Sequence, residues 1–478
     1  MNWRKEVALT MTEEKKQTAP QEMSAEEVMK KYDKESDKRN PVGAWHYIIS
    51  GICILFACFQ LYTAIFGVLD AHLQRTIHLM FGLTLIFLLY PGRKSWSRSS
   101  MNPIDVICAL LGIGTTGYLL LNYQELVLRA GLNTQTDIIV GIIGVLMVFE
   151  ATRRTVGWPM LTVALIFVAY AFLGPYMPGI LAHRGVGFDE LVSHLFFTTE
   201  GIFGVPMGVS STFIYLFILF GAYLDATGLG KFFIDMANAL AGWAIGGPAK
   251  VAVLSSGLMG TVSGSSVANV AGTGSFTIPM MKKLGYRPSF AGAVEAAAST
   301  GGQLMPPVMG AAAFLMAEFV GVPYIEVVKA AVIPALLYYT GIWLSVHYEA
   351  KKYGLKGTPR DQLPKFGPLL REKGHLAVPL IVIVYLLVSG YTPMRAALYA
   401  IGLTIVCACM RKNTRITFAQ FINGLVEGSQ SVLGVLIACA SAGIIIGVVT
   451  KTGVGLKLAT ALLDLAQGKM IPAMFFTM

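Results

Sequence analysis

Residues 255–275 read SSGLMGTVSGSSVANVAGTGS, and 16 of these 21 positions hold Gly, Ala, Ser, Thr or Asn. A helix facing lipid would be rich in leucine. Small residues instead let backbones approach closely, and glycine lets a chain turn at depth. Irregular backbone inside a membrane is tolerated only where it is buried in protein or lines a cavity. The uncharged run 251–281 therefore reads as a re-entrant helical hairpin, its tip running from Ser263 through Gly264, Ser265 and Ser266 to Asn269. The competing reading is a glycine-rich helix that crosses once, and the charges in the loops decide between the two.

Composition supplies the membrane. Of 478 residues, 55% are hydrophobic and 13% charged, and the mean hydropathy is +0.62. Soluble domains carry roughly 25% charged residues. A soluble enzyme, a disordered chain and a small secreted scaffold are excluded. The apolar runs are continuous rather than alternating, which selects helices over a barrel. Eleven spans are expected, at 47–69, 74–91, 104–122, 136–151, 158–177, 205–226, 288–318, 323–347, 375–390, 394–410 and 430–450. The six cysteines lie in apolar runs without metal-ligand spacing, and the seven histidines form no metal constellation. Residues 1–45 read as a solvated cytoplasmic tail rather than a signal peptide, with 25–37 patterned as a surface helix.

The net charge of +10 reflects a bias between loops rather than a nucleic-acid surface. With the N-terminus cytoplasmic, 29 of the 37 Lys and Arg residues fall on the cytoplasmic side. That division holds only if 251–281 enters and leaves on one face.

The span after the hairpin is also unusual. Residues 291–314 read AGAVEAAASTGGQLMPPVMGAAAF. Gly301-Gly302 loosens a helix, and Pro306-Pro307 removes donors and clashes one turn back. An unwound break over 300–307 follows, and half-helix ends of this kind hold ions and anions near the bilayer midplane. The tip (Ser263, Ser265, Ser266, Asn269) and the break (Ser299, Thr300, Gly301, Gly302, Gln303, Pro306, Pro307) are the candidate substrate and ion contacts. Hydroxyl, amide and carbonyl oxygens suit Na⁺, with Ser263, Ser265, Asn269 and Gly301 as candidate ligands. Glu295 is the one charge between residues 288 and 317. It fits either a coupling proton carrier or a neutral structural hydrogen bond. The trio Glu150, Arg153 and Arg154 reads as an interfacial anchor, and Asp225 as a helix-end residue.

Thr227-Gly228-Leu229-Gly230 recurs as Thr452-Gly453-Val454-Gly455, 225 residues later, and Glu200-Gly201 recurs as Glu427-Gly428. The repeats lie on opposite sides, so they are inverted. The first runs over 132–318, a connecting helix occupies 323–347, and a partial second repeat covers 375–478. A second hairpin and broken helix are expected after Thr452, so a C-terminally truncated chain is expected.

The stretches EATRRTVGWPML (150–161), DATGLGKF (225–232), VSGSSVANVAGTGSFTIPMMKKLGY (262–286) and EAAASTGGQLMPPVMGAAAFLMAE (295–318) carry a family resemblance. The chain resembles the fused membrane subunit of tripartite ATP-independent periplasmic (TRAP) transporters, of the TAXI type. The resemblance implies a small-subunit-like membrane domain over 46–131 and a large-subunit-like transport domain over 132–478. It implies an all-α, multi-pass, elevator-type fold in a bacterial inner membrane. It also implies secondary active uptake of an organic anion, delivered by a periplasmic TAXI-type substrate-binding protein and driven by Na⁺ or H⁺. No enzymatic activity, no cofactor and no nucleic-acid partner is expected; lipid is. The sequence holds no G-x4-G-K-[ST] phosphate loop. A receptor-independent carboxylate symporter of related architecture and a transport-inactive fragment are the alternative readings. A membrane enzyme would need a catalytic constellation that is not visible.

Overall fold

A computed structural model describes residues 38–477 apart from Lys94, Ala130 and Lys412. Residues 25–37, patterned as a surface helix but read as part of a solvated tail, lie outside the described residues with most of that tail. Among the described residues the secondary structure is helical, with no strand. Three helices open the chain: α1 (Ala44–Phe66), α2 (Ala71–Leu89) and α3 (Pro103–Leu121). Asp70 and Asn102 cap α2 and α3 by accepting from the His72 and Ile104 amides. Next come α4 (Gln135–Thr155) and α5 (Trp158–Leu173), and a Thr134/Asp137 capping box starts α4. The amphipathic α6 (Phe188–Phe197) leads to α7 (Val205–Ala226), which a π turn at Ser210–Ile214 interrupts.

The middle of the chain holds α8 (Leu229–Ala241), α9 (Gly247–Ser263), α10 (Ser266–Lys283), α11 (Pro288–Thr300) and α12 (Ala311–Val320). The connecting helix is α13 (Tyr324–Lys352). Beyond it lie α14 (Val378–Val388), α15 (Pro393–Cys409), α16 (Phe418–Ser431), α17 (Leu433–Thr452) and α18 (Val454–Leu465).

Eight helices among the described residues are long and apolar enough to cross a membrane, against eleven expected spans. Three segments account for the difference. Residues 288–318 divide into two short helices at Gly301, α14 has 11 residues, and α15 has 17.

Two polar joints bind α1–α3 to the rest. In the first, Asp105 is fully buried in the first turn of α3 and accepts from Arg39 and Arg154, each at 2.5 Å. Glu150 binds both Arg153 and Arg154, and Arg153 also reaches the Gly92 carbonyl. The expected interfacial anchor thus turns inward at Arg154, which is 8% exposed, because Asp105 offers a buried counter-charge. In the second joint, the His78 ring lies 2.5 Å from Gln60 Nε2 and 3.0 Å from Ser210 Oγ. Gln74 donates to the Ser211 carbonyl in the π turn. Hydrogen bonds of this kind hold helices together where apolar attraction between them is weak.

The two halves brace each other reciprocally. His194, on α6, lies 3.0 Å from the Gly447 carbonyl of α17. Tyr223, on α7, donates to the Phe421 carbonyl of α16 at 3.1 Å. The offsets of 225 and 227 residues between the halves map His194 onto Phe421 and Gly447 onto Ala222, beside Tyr223. Each amphipathic arm therefore meets the same level of the other half's long helix. Glycine makes the contact close on both sides: Gly443 lies against the Gly201 carbonyl, and Gly428 against Leu219.

Candidate functional site

Helices α9 and α10 form the arms of a hairpin. Only Gly264 and Ser265 separate them, and Gly264 takes φ +59°, the left-handed region that glycine enters without strain. The arms pair in antiparallel register: Ser256 Oγ lies 3.0 Å from Thr273 Oγ1, and Asn269 Nδ2 donates to the Ser256 carbonyl at 2.8 Å. The small residues explain the approach. A Cβ on Gly260 would collide with Gly302, and one on Gly264 with the Met309 carbonyl.

These contacts bring the tip against the break. After Thr300 the helix becomes a single 3₁₀ turn, Gly301–Gln303, and regular α-helix resumes at Ala311. Gln303 Nε2 donates to Ser266 Oγ at 3.2 Å, and Gly302 faces both Gly260 and the Asn269 amide. Ser265 caps α10 by accepting from the Ala268 amide. Ser263 lies at the end of α9, with its hydroxyl directed to the Ser265 carbonyl.

Not every candidate faces the tip. Thr300 donates back to the Ala296 carbonyl of its own helix. Gly301 packs against the rings of Tyr338 and Tyr339 on α13. Those two hydroxyls donate to the Ala297 and Ala298 carbonyls at 2.8 and 3.0 Å. Tyr324 donates to the Pro307 and Val308 carbonyls beyond the Pro306-Pro307 pair. Carbonyls on this side of the break are capped by tyrosine. The sequence reading missed all three tyrosines; adjacent Tyr338-Tyr339 on a helix beside a broken span was the available signal.

Glu295 is fully buried. It accepts from Ser256 Oγ at 3.0 Å, Thr273 Oγ1 at 2.5 Å and Ser299 Oγ at 3.1 Å, and also from Thr277 Oγ1. Ser256 belongs to α9, the two threonines to α10, and Ser299 to α11 itself. One carboxyl group therefore ties both hairpin arms to the broken helix. Among the described residues no cation pairs with it. The i,i+4 spacing of Thr273 and Thr277 on one face of α10 marked these partners in the sequence.

In front of the tip lies a cavity of about 580 Å³. Ser263, Gly264 and Ser265 line it from the hairpin, and Met309 and Ala311 from the break. The N-termini of α10 and α12 both open at this point, and such ends favour negative charge. Asp225, Glu427 and Lys38 also line it. Asp225 thus sits at a helix end, as its sequence position suggests, and also faces the cavity. Glu427 was visible only as a marker of the repeat.

Repeated helical halves, a small-residue hairpin set against a broken helix, and a cavity before both define a polytopic membrane permease. The model of the family described as tripartite ATP-independent periplasmic transporter, DctM component, matches residues 143–478. The chain belongs to that family. It is 29% identical over 260 residues to the isethionate TRAP transporter permease protein DctMQ of Oleidesulfovibrio alaskensis, covering 54% of this chain and 40% of that one. It is 32% identical over 188 residues to the C4-dicarboxylate TRAP transporter large permease protein DctM of Pseudomonas aeruginosa, covering 39% of this chain and 44% of that one. The sialic acid TRAP transporter large permease protein SiaM of Vibrio cholerae is 26% identical over 248 residues, covering 51% of this chain and 54% of that one. In each case the chain spans about half or less of the relative's length.

Proposed function

We propose that this chain is the membrane permease of a TRAP transporter of the fused, TAXI type, and that it takes up an organic anion by secondary active transport. The observation that carries the reading is the convergence of the hairpin tip, the break and two helix N-termini on one cavity. In this reading the N-termini of α10 and α12 attract the carboxylate of the substrate. Ser263, Ser265 and Asn269 supply oxygens for a coupling Na⁺, or Glu295 carries a coupling proton. A periplasmic substrate-binding protein delivers the anion. The hairpin re-enters the membrane on the cytoplasmic side of the inner membrane, the N-terminus is cytoplasmic, and hairpin and broken helix travel together as an elevator. Residues 46–131 act as the small subunit, and 132–478 as the transport domain. The substrate-bearing names of the relatives, isethionate, C4-dicarboxylate and sialic acid, are all organic anions, which supports that substrate class.

The test is reconstitution of the natural polypeptide in liposomes, with the purified binding protein encoded beside it and labelled carboxylates outside. Uptake that needs both the binding protein and an imposed Na⁺ or H⁺ gradient is the expected result. Gradient-driven uptake without the binding protein would instead establish a receptor-independent symporter. No uptake of any anion that the binding protein holds would refute transport.

A further inference from the structure

A second cavity, of about 260 Å³, lies behind the candidate site, between α9 and α13. Leu254 and Leu258 form one wall, Leu336 and Thr340 the other, and Met305 of the break closes one end. The lining is almost wholly apolar. It opens toward the surface along α13, where Leu336 is 57% exposed and Leu337 is 68% exposed. The walls offer water few partners, so an apolar chain is the fitting occupant.

A cation stands beside Trp343, at the margin of the groove. Lys250 lies one turn before Leu254 and is 5% exposed. Its ammonium lies 3.1 Å from His347 Nδ1 and 5.1 Å from the ring centroid of Trp343, which also lines the groove. Neither partner supplies negative charge, and among the described residues no carboxylate pairs with Lys250. A buried cation without a counter-ion is costly. His347 stands five residues before Lys352 at the end of α13, roughly 7.5 Å inside that polar end at 1.5 Å per residue. Trp343, one turn deeper, is of a residue type enriched where membranes meet water. From Lys250 to Leu258 α9 rises about 12 Å on the same geometry.

We propose that this groove binds one anionic phospholipid, with an acyl chain between α9 and α13 and its phosphate against Lys250 and His347. The chain then lies behind Gly257 and Met305, against the backs of the hairpin and the break. The inference requires a membrane location and does not depend on which anion is transported.

Native mass spectrometry of the full chain tests it, after exchange into nanodiscs of phosphatidylcholine with phosphatidylglycerol. The wild type is expected to keep one phosphatidylglycerol at detergent levels that strip phosphatidylcholine, with about five-fold preference for the anionic lipid. Lys250→Gln is expected to remove the preference. Thr340→Trp, which fills the groove from an exposed position, is expected to remove retention of both lipids, and it decides the matter if Lys250→Gln does not fold. Lys351→Gln, an exposed cation outside the groove, is expected to behave as wild type. Equal retention of the two lipids by the wild type overturns the proposal. So does retention that Thr340→Trp leaves unchanged.

Discussion

At the scale of single residues, two carboxylates organise buried polar networks, and they differ in what balances them. Asp105 is held between two arginines. Breaking a buried ion pair from one side strands the other charge, at a cost of about 3–5 kcal/mol. Asp105→Asn is therefore expected to lower the thermal midpoint in detergent steeply, and Glu150→Gln, whose side chain is 28% exposed, only slightly. A midpoint unchanged in Asp105→Asn would show that the joint contributes nothing. Glu295 has only hydroxyl partners, four of them. Each threonine among them has a second acceptor one turn back on its own helix, at the Asn269 and Thr273 carbonyls. Glu295→Gln can thus be accommodated by rotating hydroxyls, at about 1–3 kcal/mol for a disturbed buried partner. If Glu295 carries the coupling proton, this variant loses the pH dependence of uptake while remaining folded. Unchanged pH-dependent uptake removes Glu295 from coupling.

At the scale of elements, the hairpin and the break are set by glycine and proline, whereas their supports are set by tyrosine. Gly264→Ala is expected to abolish uptake, because a Cβ there meets the Met309 carbonyl, which is backbone and cannot rotate aside. Cross-linking of cysteines placed at Ser266 and Gln303 should report the separation, and wild-type efficiency in Gly264→Ala would contradict the close approach. The arms and the interruption were legible in the sequence because 255–275 and 300–307 depart so far from what lipid-facing helices contain. The capping tyrosines were not. Tyr324 resembles any aromatic residue on an apolar helix, and the Tyr338-Tyr339 pair hints at a polar partner without naming the carbonyls it faces. Likewise Asp225 and Glu427 lie 202 residues apart, and no local pattern places both at one cavity.

At the scale of the molecule, the halves are joined through reciprocal arms, and the glycines there are not equivalent in cost. A Cβ on Gly443 would meet the Gly201 carbonyl, while one on Gly428 would meet the flexible end of Leu219. Gly443→Ala should therefore destabilise the protein more than Gly428→Ala, by a margin of about 1–3 kcal/mol, the usual cost of overpacking. Thermal midpoints of the two variants in the same detergent check the order, and an inverted order would mean the arms are looser than their packing shows. The repeat was readable from Thr-Gly-x-Gly and Glu-Gly. The count of long helices was not, because sequence windows cannot distinguish a span of 17 residues from a longer one whose end unwinds.

The bond between His194 and Gly447 joins residues 253 positions apart. At roughly 5–20 residues per second of synthesis, the first arm waits on the order of 10–50 s for its partner to leave the ribosome. During that interval Val192 and Phe196 can already rest on Gly141 and Gly144 of α4, and only the side of the arm that meets α17 stays open. Slowing translation between the two halves should lengthen the time for which this arm can be captured or cleaved, although the finished fold is unchanged.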